Sequence, residues 1–414
     1  MVVGTKQRPP TVFWGNERVT HPAIISQASE QTQHRLIGLD RVLLVQDTVS
    51  FNFSHHPGTE GLGPLENAHT SGFLAHNTLA VSPDGVPLGL LDQAVWARDP
   101  EQSGSRHQRH ERAFKDKESY KWVEGVACVE TLPDTLQPIV VCDAEAHIYD
   151  FLDVLHQRDL DYIVRAADYR SFTPEGQALF EAVSQREVQH EFTVMLKRHP
   201  DRPQREAQLV LRFSEITLRR PKRSEAMQPT LTLFVVDVQE IAPPAGVKPI
   251  HWLLLTSLPV TNVAQAQQIV TWYSYRWLVE RFHYVLKSGC KLEESQLRHE
   301  ARLERLLAVY SLVAWRLLWL TYQARVTPDE ACTVALEANE WQALYLFVQK
   351  TNRLPNKPPT LRQATRWIGQ LGGFLGRKSD GEPGVKVLWR GWARLQDIVS
   401  TYTLLQPQKD VGNA

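Results

Sequence analysis

The spacing of apolar positions changes several times along the chain. Residues 21–40 (HPAIISQASEQTQHRLIGLD) read as a helix that feeds the run Arg41-VLLVQDTVSF, a strand by its β-branched content with a carboxylate, Asp47, near its end. FLAHNTLAVSPDG (73–85) and VPLGLLDQAVWA (86–97) predict two more strands, joined by the turn signal Ser82-Pro-Asp-Gly85, which completes a three-strand meander. The charged segment 100–121 leads into a predicted helix, KESYKWVEGVACVETL (117–132). QPIVVCDAEAH (137–147) follows as a buried strand ending in acids, Asp143 among them, then helix IYDFLDVLHQR (148–158) and strand DYIVRAAD (161–168).

The order β-β-β-α-β-α-β is the ribonuclease-H-like pattern. From about 171 to 256 the segments alternate as strands do (HEFTVMLKR, AQLVLRFSEITLRR, PTLTLFVVDVQE, KPIHWLLLTS), with no helix-length pattern of similar strength. Helical spacing returns at 263–291 and 299–325, and the last ninety residues read as mostly helical around the loop GRKSDGEPGVK (376–386). The expected fold class is α/β: a ribonuclease-H-like mixed sheet core interrupted by a large β-rich insertion and followed by a C-terminal helical region. No internal repeat or low-complexity tract is present.

Composition narrows the class further. With 43% hydrophobic and 22% charged residues among 414, disorder, coiled coil and collagen are excluded. The 46 Lys and Arg balance 46 Asp and Glu, which excludes a uniformly basic protein but not a basic patch. Between Lys197 and Arg223, nine basic residues (197, 198, 202, 205, 212, 219, 220, 222, 223) face three acids (201, 206, 215), a local charge of +6. Cys128, Cys142, Cys290 and Cys332 are too scattered for a disulfide framework or a zinc site, which points to a reducing compartment. The N-terminus lacks the apolar core of a signal peptide and no run approaches the length of a membrane span, so a cytoplasmic chain without a membrane partner is expected.

The strongest chemical signal lies in TWYSYRWLVERFHYVLKSGCK (271–291). On a continuous helix Tyr273, Arg276, Glu280 and Lys287 fall within a sector about 60° wide at about 100° per residue. A polar stripe of this kind is commonly a solvated face with an i,i+4 ion pair. Trp272, Trp277, Leu278, Phe282, Val285 and Leu286 make the rest of the circumference apolar, so the stripe is expected to face something specific.

Y-x2-R-x3-E-x6-K resembles the YREK signature of bacterial insertion-sequence DDE transposases of the Tn-five-like, IS-four type. In that family two aspartates at strand ends and the glutamate of the signature form a triad, and a β insertion precedes the glutamate helix. Asp47, Asp143 and Glu280 stand here in that order, with the β-rich stretch between the second and third. The resemblance, which spans about residues 15–405, implies a DNA transposase that cleaves and transfers strands by a cut-and-paste mechanism, with Asp47, Asp143 and Glu280 as catalytic residues and metal ligands. Three hard carboxylates suit two Mg²⁺ ions, with Mn²⁺ as substitute. By the same resemblance Tyr273, Arg276 and Lys287 contact DNA phosphates, and Arg165 matches a basic position near the active site. Trp252 matches an aromatic that stacks on a flipped base, its plain reading being a core tryptophan in a strand. Glu145, two residues past Asp143, points to the opposite face of an extended strand and is left out of the ligand set.

Family members carry an end-binding helical domain ahead of the core, whereas only 46 residues precede Asp47 here. The expected organisation is a remnant N-terminal segment (1–35), the first part of the core (36–170), the β insertion (171–256), core helices with the signature (257–325) and a helical C-terminal region for dimerisation (326–414). The implied partners are transposon-end and target DNA and a second copy of the chain in a synaptic complex. The alternative is a catalytically incompetent, shortened transposase that inhibits a full-length relative through C-terminal pairing.

Overall fold

Strand β1 (Arg41–Asn52) is the centre around which the sheet is ordered, and its residues Val42 to Val45 are wholly buried. Unbroken burial on both faces is why this stretch reads as a continuous apolar run rather than an alternating one. The structure, a computed structural model, describes residues 11–66, 69–102, 112–167, 170–196, 204–377 and 380–406.

In chain order the larger elements are α1 (Thr11–Trp14), α2 (His21–Leu36), β1, β2 (Gly63–Pro64), β3 (Ser71–Val81), β4 (Pro87–Trp96), α3 (Lys121–Gly125), β5 (Gln137–Cys142), α4 (Tyr149–Gln157), β6 (Asp161–Arg165), α5 (Leu179–Ser184), β7 (His190–Leu196), β8 (Arg205–Arg219), β9 (Thr230–Ile241), β10 (His251–Thr256), α6 (Val263–Ser274), α7 (Trp277–Tyr284), α8 (Glu300–Val326), α9 (Ala338–Gln349), α10 (Leu361–Leu371) and α11 (Val385–Leu405). One sheet runs β2-β3-β1-β5-β6-β10-β9-β8-β7, with β4 on β3. β1 is antiparallel to β3 and parallel to β5, and β5 is parallel to β6, the ribonuclease-H-like order. The insertion continues this sheet, since β10 pairs antiparallel with β6 and carries β9, β8 and β7 outward. The β3–β4 turn needs a left-handed residue, and Gly85 supplies it at φ 84°.

Two expected helices differ. Residues 117–132 form short 3-10 turns around the five-residue α3 rather than one helix, because they pack as a thin cover on the sheet. The stretch 263–291 breaks at Tyr275-Arg276 into α6 and α7 and ends in a π-helical turn, Val285–Gly289. The six-residue α5 is too short for a periodicity to announce it.

The chain divides into two compact units: residues 25–83 with 90–280, which hold the sheet, and residues 1–24, 84–89 and 281–414, which are mainly helical. In the helical unit α8 is a core helix, with Leu306, Leu307, Ala314, Leu317 and Leu318 buried. Arg305 ties the N-terminal turn to α8 by donating to the carbonyls of Trp14 (2.8 Å) and Val19 (2.6 Å). No described helix is long and apolar enough to cross a membrane.

Candidate active site

Asp47 and Asp143 come together by strand register. β1 and β5 pair in parallel with Val45 opposite Val141, so two residues on Asp47 stands beside Asp143, on neighbouring strands that lie about 4.8 Å apart. Asp143 begins a tight turn rather than continuing the strand, and its Oδ1 accepts the Glu145 amide at 2.8 Å. Glu145 is therefore not disposed by strand alternation as expected; its carboxylate accepts from Lys121 Nζ at 2.7 Å instead. The turn is pinned from its other side by His147, whose Nδ1 accepts from the Ala167 amide (2.9 Å) and whose Nε2 meets Ser171 Oγ (2.9 Å). Arg170 also donates to the carbonyls of Ala144, Glu145 and His147.

The break between α6 and α7 brings the third carboxylate in. Arg276 sits in the break, 7% exposed, and its guanidinium reaches Glu280 Oε1 at 2.6 Å and Asp47 Oδ2 at 3.6 Å. One cation therefore spans a strand carboxylate and a helix carboxylate. Burial, then the charge of Asp143, push the Asp47 carboxyl up to about 7 against the pull of Arg276 and the Thr48 amide. Burial first, and then the charges of Asp143 and Asp47, raise the thiol of Cys142 as well.

The remaining candidates divide. Tyr273, 1% exposed, packs edge-on against Trp252 with ring centres 5.3 Å apart; burial raises its hydroxyl pKa, opposed by the nearby Arg276 and Arg165. Arg165 ends β6 opposite Leu254 and donates to the His251 carbonyl at 3.0 Å, on the sheet face it shares with Trp252. Tyr273, Arg276, Glu280, Trp252 and Arg165 thus neighbour the aspartates within the sheet unit. Lys287 lies in the π-helical turn, in the helical unit, with its ammonium 3.6 Å from Glu293.

The basic stretch 197–223 is largely engaged within the fold. Arg212 pairs with the buried Asp237 (3.0 Å), Arg205 with the buried Glu240, Arg219 lies over the Phe172 ring, and Arg220 donates to the Ala226 carbonyl (2.7 Å). Lys222 and Arg223 are exposed, while Lys197, Arg198 and Arg202 fall outside the described residues.

Among the described residues no three His, Cys, Asp or Glu side chains are gathered closely enough to hold a metal ion as they stand. The donor set nevertheless fits one. It consists of hard oxygens, its most buried member is pushed toward protonation by burial and then by a like charge, and Arg276, whose Nε is buried without a hydrogen-bond partner, already provides a positive charge at that place.

Residues 123–316 match the family described as Transposase DDE domain, and residues 312–404 match the Transposase Tn5 dimerisation domain. The chain belongs to the Tn5-like DDE transposases. It is an enzyme of DNA strand cleavage and transfer, in a family whose DDE domains typically use divalent metal ions. The DDE match includes Asp143 and Glu280, and Asp47 precedes it.

Sequence reasoning missed His76, Lys121, His147 and Arg170. A signal existed for the first: His76-Asn77-Thr78 places three polar residues in the middle of an apolar strand, and all three are fully buried. Asn77 lies directly across from Asp47 in register.

Proposed function

We propose that the chain excises and inserts a bacterial insertion sequence by a cut-and-paste reaction, with Asp47, Asp143 and Glu280 as its catalytic carboxylates. The observation that carries this reading is that Arg276 bridges Glu280 and Asp47 while β1 and β5 set Asp47 beside Asp143. The three carboxylates would hold two Mg²⁺ ions, with Mn²⁺ as substitute. Such ions activate the attacking oxygen and stabilise the leaving one in an in-line displacement at phosphorus.

The chain's own groups orient the substrate. Arg276 offers a planar fork matched to a phosphate, and Lys287 a point charge. Tyr273, buried against Trp252, lies under the Arg276 guanidinium and so helps hold it in place. Trp252 is half-buried and keeps ring surface for a base lifted out of the stack, an interaction of about 1–3 kcal/mol. Both DNA and a second copy of the chain are required partners, since each copy would hold one transposon end.

The test is Mg²⁺-dependent nicking and gel shift on one preparation each of wild type, Asp47→Asn, Asp143→Asn and Glu280→Gln. Each variant should lose nicking while keeping duplex affinity, because removing a carboxylate relieves repulsion toward phosphate. Retained nicking in any of the three removes that residue from the set.

A further inference from the structure

The two faces of β1 around Asp47 are held differently. Side chains alternate along a strand, so Gln46 and Thr48 both point away from the face that carries Asp47. A single imidazole holds both of them. His76, opposite Thr48 on β3, meets Thr48 Oγ1 through Nδ1 (2.9 Å) and Gln46 Oε1 through Nε2 (3.2 Å). With one ring gripping both neighbours, β1 cannot rotate about its axis at Asp47.

Helix α3 closes this arrangement from behind. A Cβ on Gly125 would stand 3.0 Å from Gln46 Oε1 and 3.1 Å from His76 Nε2, so the helix backbone lies close on the pair and a side chain there would have to displace them by a few tenths of an ångström. Thr78 donates to the Gly125 carbonyl at 3.0 Å. In the same helix Trp122 is fully buried and edge-on to His76, with ring centres 4.8 Å apart. The adjacent Lys121 is only 5% exposed, and its ammonium lies 5.5 Å from the Trp122 ring and 5.9 Å from that of Trp96. It reaches Glu145 at 2.7 Å, and the Glu145 amide in turn donates to Asp143 Oδ1 at 2.8 Å. A continuous path of contacts therefore runs from the backbone of Asp47 to the carboxylate of Asp143.

We propose that His76 and Lys121, joined through α3, form a positioning unit that sets the separation of the Asp47 and Asp143 carboxylates and so how tightly they take a divalent ion. The proposal rests on the reading of those carboxylates as ligands. A core serving only stability would gain from apolar residues at both places, since burying an imidazole and an ammonium costs desolvation that a leucine or methionine avoids. Both groups instead spend their hydrogen bonds on residues next to the two aspartates. Partners that orient ligands in this way typically change metal affinity by about 10–100-fold when removed.

The experiment titrates Mn²⁺ into the full chain without DNA, read by electron paramagnetic resonance, with thermal unfolding and duplex gel shift on the same samples. Lys121→Met and His76→Leu should each weaken Mn²⁺ binding about tenfold or more while duplex affinity stays within about twofold of wild type. The double variant should be little worse than the more affected single one, because both act through one path. Lys121→Arg and His76→Gln, which keep a donor in place, should recover part of the loss. Lys121→Met that folds and binds Mn²⁺ as wild type does overturns the proposal, and it decides the matter even where His76→Leu fails to fold. Asp47→Asn separates the two readings. Loss of Mn²⁺ binding there with none in Lys121→Met removes only the positioning unit, whereas unchanged binding in Asp47→Asn removes the ligand assignment beneath it.

Discussion

Asp47 is the residue at which burial, like charge and ion pairing meet. Its carboxyl is raised to about 7, so the folded chain holds a proton that the unfolded chain releases above an ordinary aspartate value of 3.8. Its contribution to stability is complete below about pH 4 and is lost as pH rises through about 7. His147, lowered to about 4 by burial and by Arg170, acts oppositely: its contribution is complete above an ordinary histidine value of 6.5 and is lost as pH falls through about 4. Comparing wild type with Asp47→Asn isolates the first effect. In chelator, urea unfolding at pH 5 and pH 8 should show wild type losing stability relative to the variant by a few kcal/mol, since each tenfold change in proton affinity is worth about 1.4 kcal/mol. A difference that does not change with pH would place Asp47 in a more solvated setting than its contacts indicate.

Elements in this chain are joined at a few close contacts, and these decide which substitutions matter. α10 and α11 cross backbone to backbone: a Cβ on Gly391 would stand 1.7 Å from the Ile368 carbonyl oxygen, and one on Gly372 would stand 1.9 Å from that of Val387. Gly391→Ala must push the helices apart and should cost about 1–3 kcal/mol, seen as a lowered melting temperature. Gly381, with no neighbour near its Cβ position but φ 64°, should instead show only a backbone penalty on Gly381→Ala. In the insertion, the same type of residue divides by partner. Replacing Arg212 leaves the buried Asp237 (2% exposed) with only His251 as a side-chain partner, and replacing Arg205 leaves the buried Glu240 (4% exposed) with the Ile250 amide; each should lower the melting temperature. Replacing the exposed Lys222 and Arg223 together should leave the melting temperature unchanged and reduce the salt slope of DNA binding by about 1–2.

At the scale of the whole molecule, the segment matching the Tn5 dimerisation domain, which ends at Leu404, carries exposed apolar side chains in it and next to it. Leu404 and Leu405 at the end of α11 are 85% and 78% exposed, and Phe347 on α9 is 56% exposed. Exposed apolar side chains cost little to change in a monomer and much in an interface. Leu404→Glu with Leu405→Glu should therefore weaken self-association at least tenfold, about 1.4 kcal/mol, in sedimentation velocity, with the melting temperature of the dilute protein unchanged. Unaltered sedimentation would place the pairing surface elsewhere on the helical unit.

The order of strands and helices around β1 was legible in the sequence because buried strands require apolar runs and their ends are marked by turn residues. The candidate carboxylates were legible for a related reason: an acid in an apolar strand, another just past the end of a second, and a glutamate among aromatics stand out, although β1 runs on to Asn52 and so holds Asp47 mid-strand rather than near its end. The sequence alone determined which residues are candidates for the chemistry. It could not determine their arrangement. A period of 3.6 continues through residues 274–277, yet the chain breaks there, and Arg276 in the break pairs with Asp47 on a strand far away in the sequence as well as with Glu280. The basic stretch looked available for DNA because charge is visible in a sequence and its partner is not; Asp237 and Glu240, on another strand, neutralise Arg212 and Arg205. His76 and Lys121 gained their setting in the same way, through pairing across strands and the approach of α3, contacts between residues far apart in the chain that only tertiary packing decides.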